Sequence, residues 1–172
     1  AFAQSPVLAT VIGAAVIFQA ALGAWTVTML LKPAIVTSHL LGGVAILALL
    51  ALLFAQQAAS GKFGARIMAT PGLRMFAVLA SCVLFIQIVL GGWTSTNYAA
   101  LACVDLPKCN GQWVPDMDFA NAFHVIRPLG VGPDGELLTL DALRAIHWVH
   151  RVGAIVVVAV VGLFAWRLMQ QR

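Results

Sequence analysis

Charged residues are scarce in this sequence, and no acidic residue precedes Asp105. Only 9% of the 172 residues are charged, against about 25% in a typical soluble domain, which excludes an ordinary soluble protein. The ten basic residues give a net charge of +4. Because they are scattered and form no basic stripe, the sequence gives no support for a nucleic-acid partner. A hydrophobic content of 62% instead indicates an integral membrane protein.

Four apolar segments are each long enough to cross about 30 Å of hydrocarbon at about 1.5 Å per residue. They run from about Pro6 to Leu31, Ala34 to Gln56, Leu73 to Thr96 and Leu140 to Leu168. The sequence therefore predicts an all-α integral membrane protein with four transmembrane helices in a bundle. The stretch LLKP joins the first two spans, and Pro33 is suited to the first turn of a helix.

The charges of the connecting segments predict how the chain is oriented. The segment between spans two and three carries Lys62, Arg66 and Arg74 without an acid, whereas every acid lies in or beside the segment between spans three and four. Positively charged loops stay on the cytoplasmic side of a membrane. We therefore expect a cytoplasmic loop over residues 57–72, a long outer loop over residues 97–139, and both chain ends in the cytoplasm.

The three cysteines divide between that outer loop and a span. Cys103 and Cys109 lie in ALACVDLPKCNGQW, on the predicted outer side, where disulfides persist. Two free thiols are the alternative, and a metal site has less support because no further Cys or His lies nearby. Cys82 lies in the middle of span three and is predicted to be a small buried residue.

The outer loop contains a second patterned stretch, MDFANAFHVIR. Met117, Ala120, Phe123 and Arg127 fall along one stripe at helical spacing. This pattern predicts a short amphipathic helix that lies on the membrane surface. His124 projects away from the stripe and is expected to be exposed.

An internal repeat relates the two halves of the chain. FQAALGAWTVT (18–28) and IQIVLGGWTST (86–96) share Gln, Leu, Gly, Trp and two Thr at matched places. The helices that follow match more loosely, as HLLGGVA from His39 and HRVGAIV from His150. Membrane proteins often contain such repeated helical units. We therefore expect two similar helix pairs, each with one of these histidines on its second helix.

The two histidines are predicted to lie at the same depth. His39 precedes Gln56, and His150 precedes Arg167, by the same distance along the chain (39 to 56 and 150 to 167). At about 1.5 Å per residue, both imidazoles lie about 25 Å above the inner boundary. Imidazoles held by helices are common axial ligands of haem iron. The alternative for each histidine is a hydrogen bond to a neighbouring helix.

Three further residues beside His150 are candidates for the same site. His147 lies one helical turn nearer the outside, where its imidazole can form a hydrogen bond or transfer protons above a bound porphyrin ring. Arg144 and Arg151 can meet the propionates of a porphyrin, since a guanidinium matches carboxylate geometry. Snorkelling towards the membrane interface is the alternative for Arg144.

These residues resemble the haem A synthase family. The matching stretches are QIVLGGWTSTNYAALACVDLPKCNGQWVPDMDF, AIHWVHRVGA and GAWTVTMLLKPAIVTSHLLGG, so the resemblance covers almost the whole chain. It implies eight transmembrane helices in two similar halves, of which this chain is similar to the middle four. Residues 1–56 then correspond to family helices three and four, and residues 73–172 to helices five and six. The implied activity oxidises the C8 methyl group of haem O to the formyl group of haem A, with haem b as cofactor.

The resemblance also implies roles for single residues. His39 corresponds to an axial ligand of the substrate haem, and His150 to an axial ligand of haem b. His147 stands at the position of a family acid that contributes to catalysis, and Cys103 and Cys109 match an outer-loop disulfide. Each haem has a second histidine ligand in the family, and neither partner histidine lies in this chain. We therefore expect an inactive fragment of a longer protein, or missing helices supplied by another chain; one haem held by both histidines stays open.

Partners and location follow from the same resemblance. It implies haem O as substrate, haem O synthase as its supplier, and a bacterial inner membrane or its mitochondrial equivalent. Membrane lipid and a second copy of the chain are further candidate partners. Two other readings remain: a b-type cytochrome that only transfers electrons, and a structural membrane subunit without a cofactor.

Overall fold

The protein is described by a computed structural model that covers residues 6–59 and 70–170. In these ranges there are four long α-helices, one short α-helix, one 3-10 helix (Ala99–Leu101) and no β-strand. The helices are α1 (Pro6–Thr28), α2 (Pro33–Ala59), α3 (Pro71–Thr96), α4 (Phe119–Ala122) and α5 (Leu140–Met169). The four long helices are long and apolar enough to cross a membrane, which confirms the predicted all-α class with four spans.

Proline and threonine set where the long helices begin. Pro33 opens α2, as the sequence predicted, because its missing N–H is not needed in a first turn. Thr70 caps α3 by accepting a hydrogen bond from the Leu73 amide at 3.3 Å, and Thr139 caps α5 in the same way. Such caps stabilise a helix by about 1 kcal/mol each. Accordingly, α3 begins two residues before the predicted boundary.

The described helices contact one another in the order α1, α2, α3, α5, and neither α1 nor α2 contacts α5. The contact between α2 and α3 is close at Gly92. A methyl group added there would lie 3.0 Å from Cδ2 of Leu40 and 3.1 Å from Cγ2 of Thr37. Gly92 thus lets α3 approach α2, which joins the helix pair α1/α2 to the pair α3/α5.

The outer segment folds onto the ends of α3 and α5. The Trp93 indole N–H donates to the Ala122 carbonyl at 3.0 Å. Arg127 is only 4% exposed, donates to Oδ1 of Asn97 at 2.6 Å, and lies 5.4 Å from the centre of the Trp93 ring. The predicted surface helix is therefore wrong in two respects: it spans only Phe119–Ala122, and Arg127 is buried. Burial also lowers the pKa of the Arg127 guanidinium.

Two further expectations concern the end of the protein at which the connections lie and the burial of Cys82. The turn between α1 and α2, with Met29 and Lys32, lines a cavity of about 320 Å³ together with Val125 and Ile126 of the outer segment. Both connections therefore lie at the same end of the protein. Cys82 is exposed, and its predicted burial is wrong because the groove in which it lies is lined by residues of α3 alone. Lys62 and Arg66 lie outside the described residues.

Candidate functional site

His39 on α2 lies against α1 at a glycine. A methyl group added at Gly23 would lie 3.1 Å from Cε1 of the His39 ring. One turn along α1, the Gln19 side-chain amide donates a hydrogen bond to the His39 carbonyl. A methyl group at Gly42 would overlap that amide, with 3.1 Å to its Cδ. The sequence therefore places glycine wherever α1 and α2 must leave room for the imidazole or the amide.

His150 on α5 has the same surroundings on α3. A methyl group added at Gly91 would lie 3.2 Å from Cε1 of the His150 ring. The Gln87 amide nitrogen donates to the His150 carbonyl at 3.0 Å and lies 3.0 Å from Nδ1 of the ring. A methyl group at Gly153 would lie 3.4 Å from Cδ of Gln87 and overlap its Oε1. Glycine again provides the space for both side chains.

The two sites agree closely in geometry. From the added methyl group, Nδ1 and Nε2 lie at 3.7 and 3.7 Å for His39, and at 3.8 and 3.9 Å for His150. Four of the repeated sequence positions therefore form one structural unit: a glutamine and a glycine on the first helix, a histidine and a glycine on the second. The repeat read from the sequence is a repeat of this histidine site.

The donor atoms suit a metal-bound prosthetic group. In the described part of the chain, Nε2 of neither His39 nor His150 makes a hydrogen bond, and neither atom is fully enclosed. Nδ1 of His39, in contrast, is enclosed and has no partner. An Nε2 atom without a hydrogen-bond partner is available to bind haem iron. Each site offers one such ligand, and no group of three or more metal-binding side chains occurs among the described residues.

His39 and His150 are not brought together. Each lies between the two helices of its own pair, and α2 makes no contact with α5 in the described ranges. Each imidazole therefore packs within its own helix pair.

His147 lies beneath the outer loop and is 9% exposed. Its Nδ1 accepts a hydrogen bond from the Cys103 amide at 3.3 Å, and its Nε2 accepts one from Nε of Arg151 at 3.1 Å. Both ring nitrogens thus face fixed donors, although a neutral imidazole offers only one acceptor. The ring connects the outer loop to α5 on the side of the helix that carries His150.

Arg151 holds the loop closed by the disulfide. Its Nη1 donates to the carbonyls of Asp105 at 2.6 Å and Lys108 at 2.9 Å, and its Nη2 donates to the Cys103 carbonyl at 2.9 Å. The disulfide between Cys103 and Cys109 is present. These bonds leave the Arg151 guanidinium little free capacity for a propionate, so its predicted contact with a porphyrin stays a prediction.

Arg144 has a different partner. It forms an ion pair with Asp141 on its own helix at 2.6 Å, and its enclosed Nε has no partner. The side chain is not tied to the outer loop. Its predicted contact with a propionate also stays a prediction.

Asp105 orders the tip of the disulfide loop. Its carboxylate accepts hydrogen bonds from the amides of Asn110 and Gly111, the latter at 2.9 Å. The Gly111 hydrogen bond, followed by that of Asn110, lowers the pKa of the Asp105 carboxyl below its ordinary value. The loop is therefore held by the ionised carboxylate of Asp105 and by the guanidinium of Arg151.

Sequence reasoning missed the roles of the two glutamines and of Arg127. Gln19 and Gln87 stood out only as repeated residues, although a glutamine inside an apolar span is itself a signal for a buried hydrogen bond. Arg127 gave no such signal, because its partner Asn97 lies far along the chain. Only the fold of the outer segment brings these two together.

Comparison with known proteins adds independent information. Residues 3–172 match the COX15-CtaA family model, described as cytochrome oxidase assembly protein. The chain is 44% identical over 155 residues to a haem A synthase of Shewanella oneidensis, covering 89% of this chain and 46% of that protein. It is 32% identical over 77 residues to a haem A synthase of Halalkalibacterium halodurans, covering 45% of this chain and 24% of that protein. The chain thus spans less than half the length of these relatives, and no solved structure matches it.

Proposed function

Because the chain belongs to the COX15-CtaA family of cytochrome oxidase assembly proteins, we propose that it forms the central part of a haem A synthase. The activity is oxidation of the C8 methyl group of haem O to the formyl group of haem A. The names of both relatives support this assignment. The structural observation that carries it is the pair of equivalent histidine sites at Gly23 and Gly91.

Each histidine is proposed to hold a different haem. His39 ligates the substrate haem O, and His150 ligates haem b, with each second ligand coming from outside these four helices. The packing of each imidazole within its own helix pair, against Gly23 and Gly91, supports one haem for each histidine. The matching parts are proposed to be residues 1–56 and residues 73–172, and the connection between α2 and α3 is proposed to lie in the cytoplasm.

The residues of the chain bind, orient and shield these groups. A bound haem b supplies one-electron redox chemistry to the site. The imidazoles of His39 and His150 fix the position of each ring, and the apolar helices exclude water from it. Arg144 and Arg151 are the proposed partners of the propionates of the haem held by His150.

His147 is the proposed catalytic residue at the outer edge of the haem b site. It lies one turn above His150, which supports a position beside the ring plane. Because both of its nitrogens face donors, a proton gained or lost by the ring would disturb its bonds to Cys103 and Arg151. Proton movement at His147 would thus be coupled to the outer loop.

The proposed setting is a bacterial inner membrane or its mitochondrial equivalent. Both chain ends face the cytoplasm, and the disulfide loop faces outward. The shared end of the α1–α2 turn and the outer segment supports placing these two connections on one side of the membrane. Haem O synthase would supply the substrate, and lipid and a second copy of the chain are further proposed partners.

Extraction of the haem after incubation tests this function. The full-length protein is purified from membranes, supplied with haem O and a reductant under air, and its haem is separated by chromatography. Formation of haem A or of the corresponding alcohol is the expected result. Retention of haem b with haem O unchanged would instead support a b-type cytochrome, and a protein without any Soret band would contradict both functions.

A further inference from the structure

Enclosed polar atoms without a partner concentrate at the two histidine sites. In the part of the chain that the structure describes, five side-chain atoms are enclosed and unpaired, and three of them lie here. They are Oε1 of Gln19, Nδ1 of His39 and Oε1 of Gln87. Buried polar groups normally have hydrogen-bond partners, so each exception calls for an explanation.

Ligation of haem iron by the two histidines would explain these unpaired atoms. An imidazole that binds iron through Nε2 carries its proton on Nδ1, and that N–H then needs an acceptor. We infer that Gln19 and Gln87 are positioning residues whose Oε1 atoms accept the Nδ1–H of His39 and His150 when these rings ligate haem iron. The inference rests on the proposed function, since it requires that both histidines bind haem.

Gln87 lies close enough for this role. Its amide nitrogen is 3.0 Å from Nδ1 of His150 and 3.0 Å from the His150 carbonyl. Oxygen and nitrogen share one carbon of this amide, so a turn about its last torsion angle brings Oε1 towards Nδ1, with loss of the hydrogen bond from the amide nitrogen to the His150 carbonyl. A protonated Nδ1 would face a donor in the present orientation, and this conflict favours the turn.

Both glutamines lie beside their histidines. The Gln19 amide donates to the His39 carbonyl, as the Gln87 amide does to that of His150. Glycines 42 and 153 provide the space that each amide occupies, because a methyl group at either position would overlap the oxygen. The bond from the glutamine amide to the histidine carbonyl is common to both halves, whereas a contact between the amide and Nδ1 is present only for Gln87 and His150.

The test uses the haem-loaded full-length protein and compares Gln87→Leu with Gln56→Leu. Gln56 is an exposed residue near the inner end of α2, so its replacement is the matched control. Loss of the acceptor makes the imidazole a weaker donor to iron. We expect a higher midpoint potential of one haem, shifted g values in its electron paramagnetic resonance spectrum, and haem affinity reduced on the order of tenfold or more.

Gln19→Leu should change the signal of the other haem. Gln87→Glu should shift the potential of its haem downwards, because an anionic acceptor strengthens the donor character of the ring. If a leucine variant fails to accumulate, the midpoint potential of the glutamate variant at the same site tests the inference. A merely structural glutamine would affect stability but would not move potential in opposite directions for Leu and Glu.

The outcomes separate this inference from the proposed function. If the wild-type protein contains haem, and Gln87→Leu and Gln87→Glu both match Gln56→Leu in potential and g values, the positioning role is wrong while the function stands. If the wild-type protein binds no haem, the proposed function itself fails. Opposite shifts for the two variants, confined to one haem, support the inference.

Discussion

At the scale of single residues, Arg151 connects the outer loop to a membrane helix. It donates to three loop carbonyls and to His147 from one side chain. Hydrogen bonds from a charged group contribute about 1.5–3 kcal/mol each when partly buried, although such terms do not add fully. The loop is therefore expected to detach from α5 when this guanidinium is removed, while its disulfide stays intact.

Hydrogen exchange of Arg151→Met measures this contribution. We expect the amide of Cys103, which lies beside His147, to exchange roughly a hundredfold faster, corresponding to about 3 kcal/mol of lost protection. Arg144→Met is the control, because its ion pair with Asp141 lies within α5. Equal exchange in the two variants would show that Arg151 does not hold the loop.

The carboxylate of Asp105 makes the loop tip sensitive to acid. Its pKa is lowered by the Gly111 and Asn110 amides, so the folded value lies below the ordinary 3.8. A lowered pKa means that the carboxylate stabilises the loop at every pH above the unfolded value, and that this stability is lost as pH falls through the folded value. The loop should therefore be fully ordered near neutral pH and loosen only in acid below about pH 4.

The nuclear magnetic resonance signal of the Gly111 amide proton follows this titration. We expect a midpoint below 3.8 and no titration in Asp105→Asn. Asp134→Asn, which alters a separate turn, should leave the curve unchanged. A midpoint at or above the ordinary carboxyl value would contradict the hydrogen bonds assigned to Asp105.

The roles of some residues could be predicted from the sequence, whereas the contacts of others could not. The importance of His39 and His150 could be read directly, because an ionisable side chain in an apolar span needs a reason. The contact between Gln87 and His150 could not, since it depends on how two helices cross. Arg127 was placed on the wrong surface because helical spacing was assumed beyond Ala122, where α4 ends.

At the scale of elements, the two adjacent glycines of α3 serve two different neighbours. Gly91 faces His150 on α5, whereas Gly92 faces Thr37 and Leu40 on α2. Successive residues of a helix point about 100° apart, so neighbouring glycines open two faces. The first repeat has Ala24 at the position of Gly92, which agrees with the absence of a third packed helix beside α1 among the described residues.

Gly92→Leu should therefore weaken the joint between the two helix pairs. The larger side chain must displace Leu40 and Thr37, and overpacking of this kind costs about 1–3 kcal/mol. We expect a melting temperature several degrees below wild type in detergent. Gly13→Leu is the control, because nothing lies within 4 Å of that position; an equal effect of both changes would refute the role of Gly92.

Helix boundaries followed the sequence where local signals exist. Pro33, Thr70 and Thr139 mark starts that depend on the first turn alone. The end of α1 came earlier than predicted, at Thr28, because Leu30 and Leu31 adopt left-handed backbone angles in the turn that follows. Apolar residues continue through that turn, so composition gave no sign of it.

At the scale of the whole molecule, the four spans form two similar pairs joined along α2 and α3. The repeat was readable from the sequence, whereas the packing of each histidine on a glycine of its own helix pair required the fold. His39 faces α1 and His150 faces α3, so each imidazole serves its own pair. The central claim of the proposed function is that these are ligands of two separate haems.

Electron paramagnetic resonance of the full-length protein, with His39→Ala and His150→Ala compared side by side, tests this claim most directly. Two low-spin haem signals are expected in the wild-type protein loaded with haem b and haem O. His150→Ala should abolish one signal and His39→Ala the other, each leaving its counterpart unchanged. Loss of the same signal in both variants would mean one shared haem, and retention of both signals in either variant would mean that the replaced histidine is not a ligand.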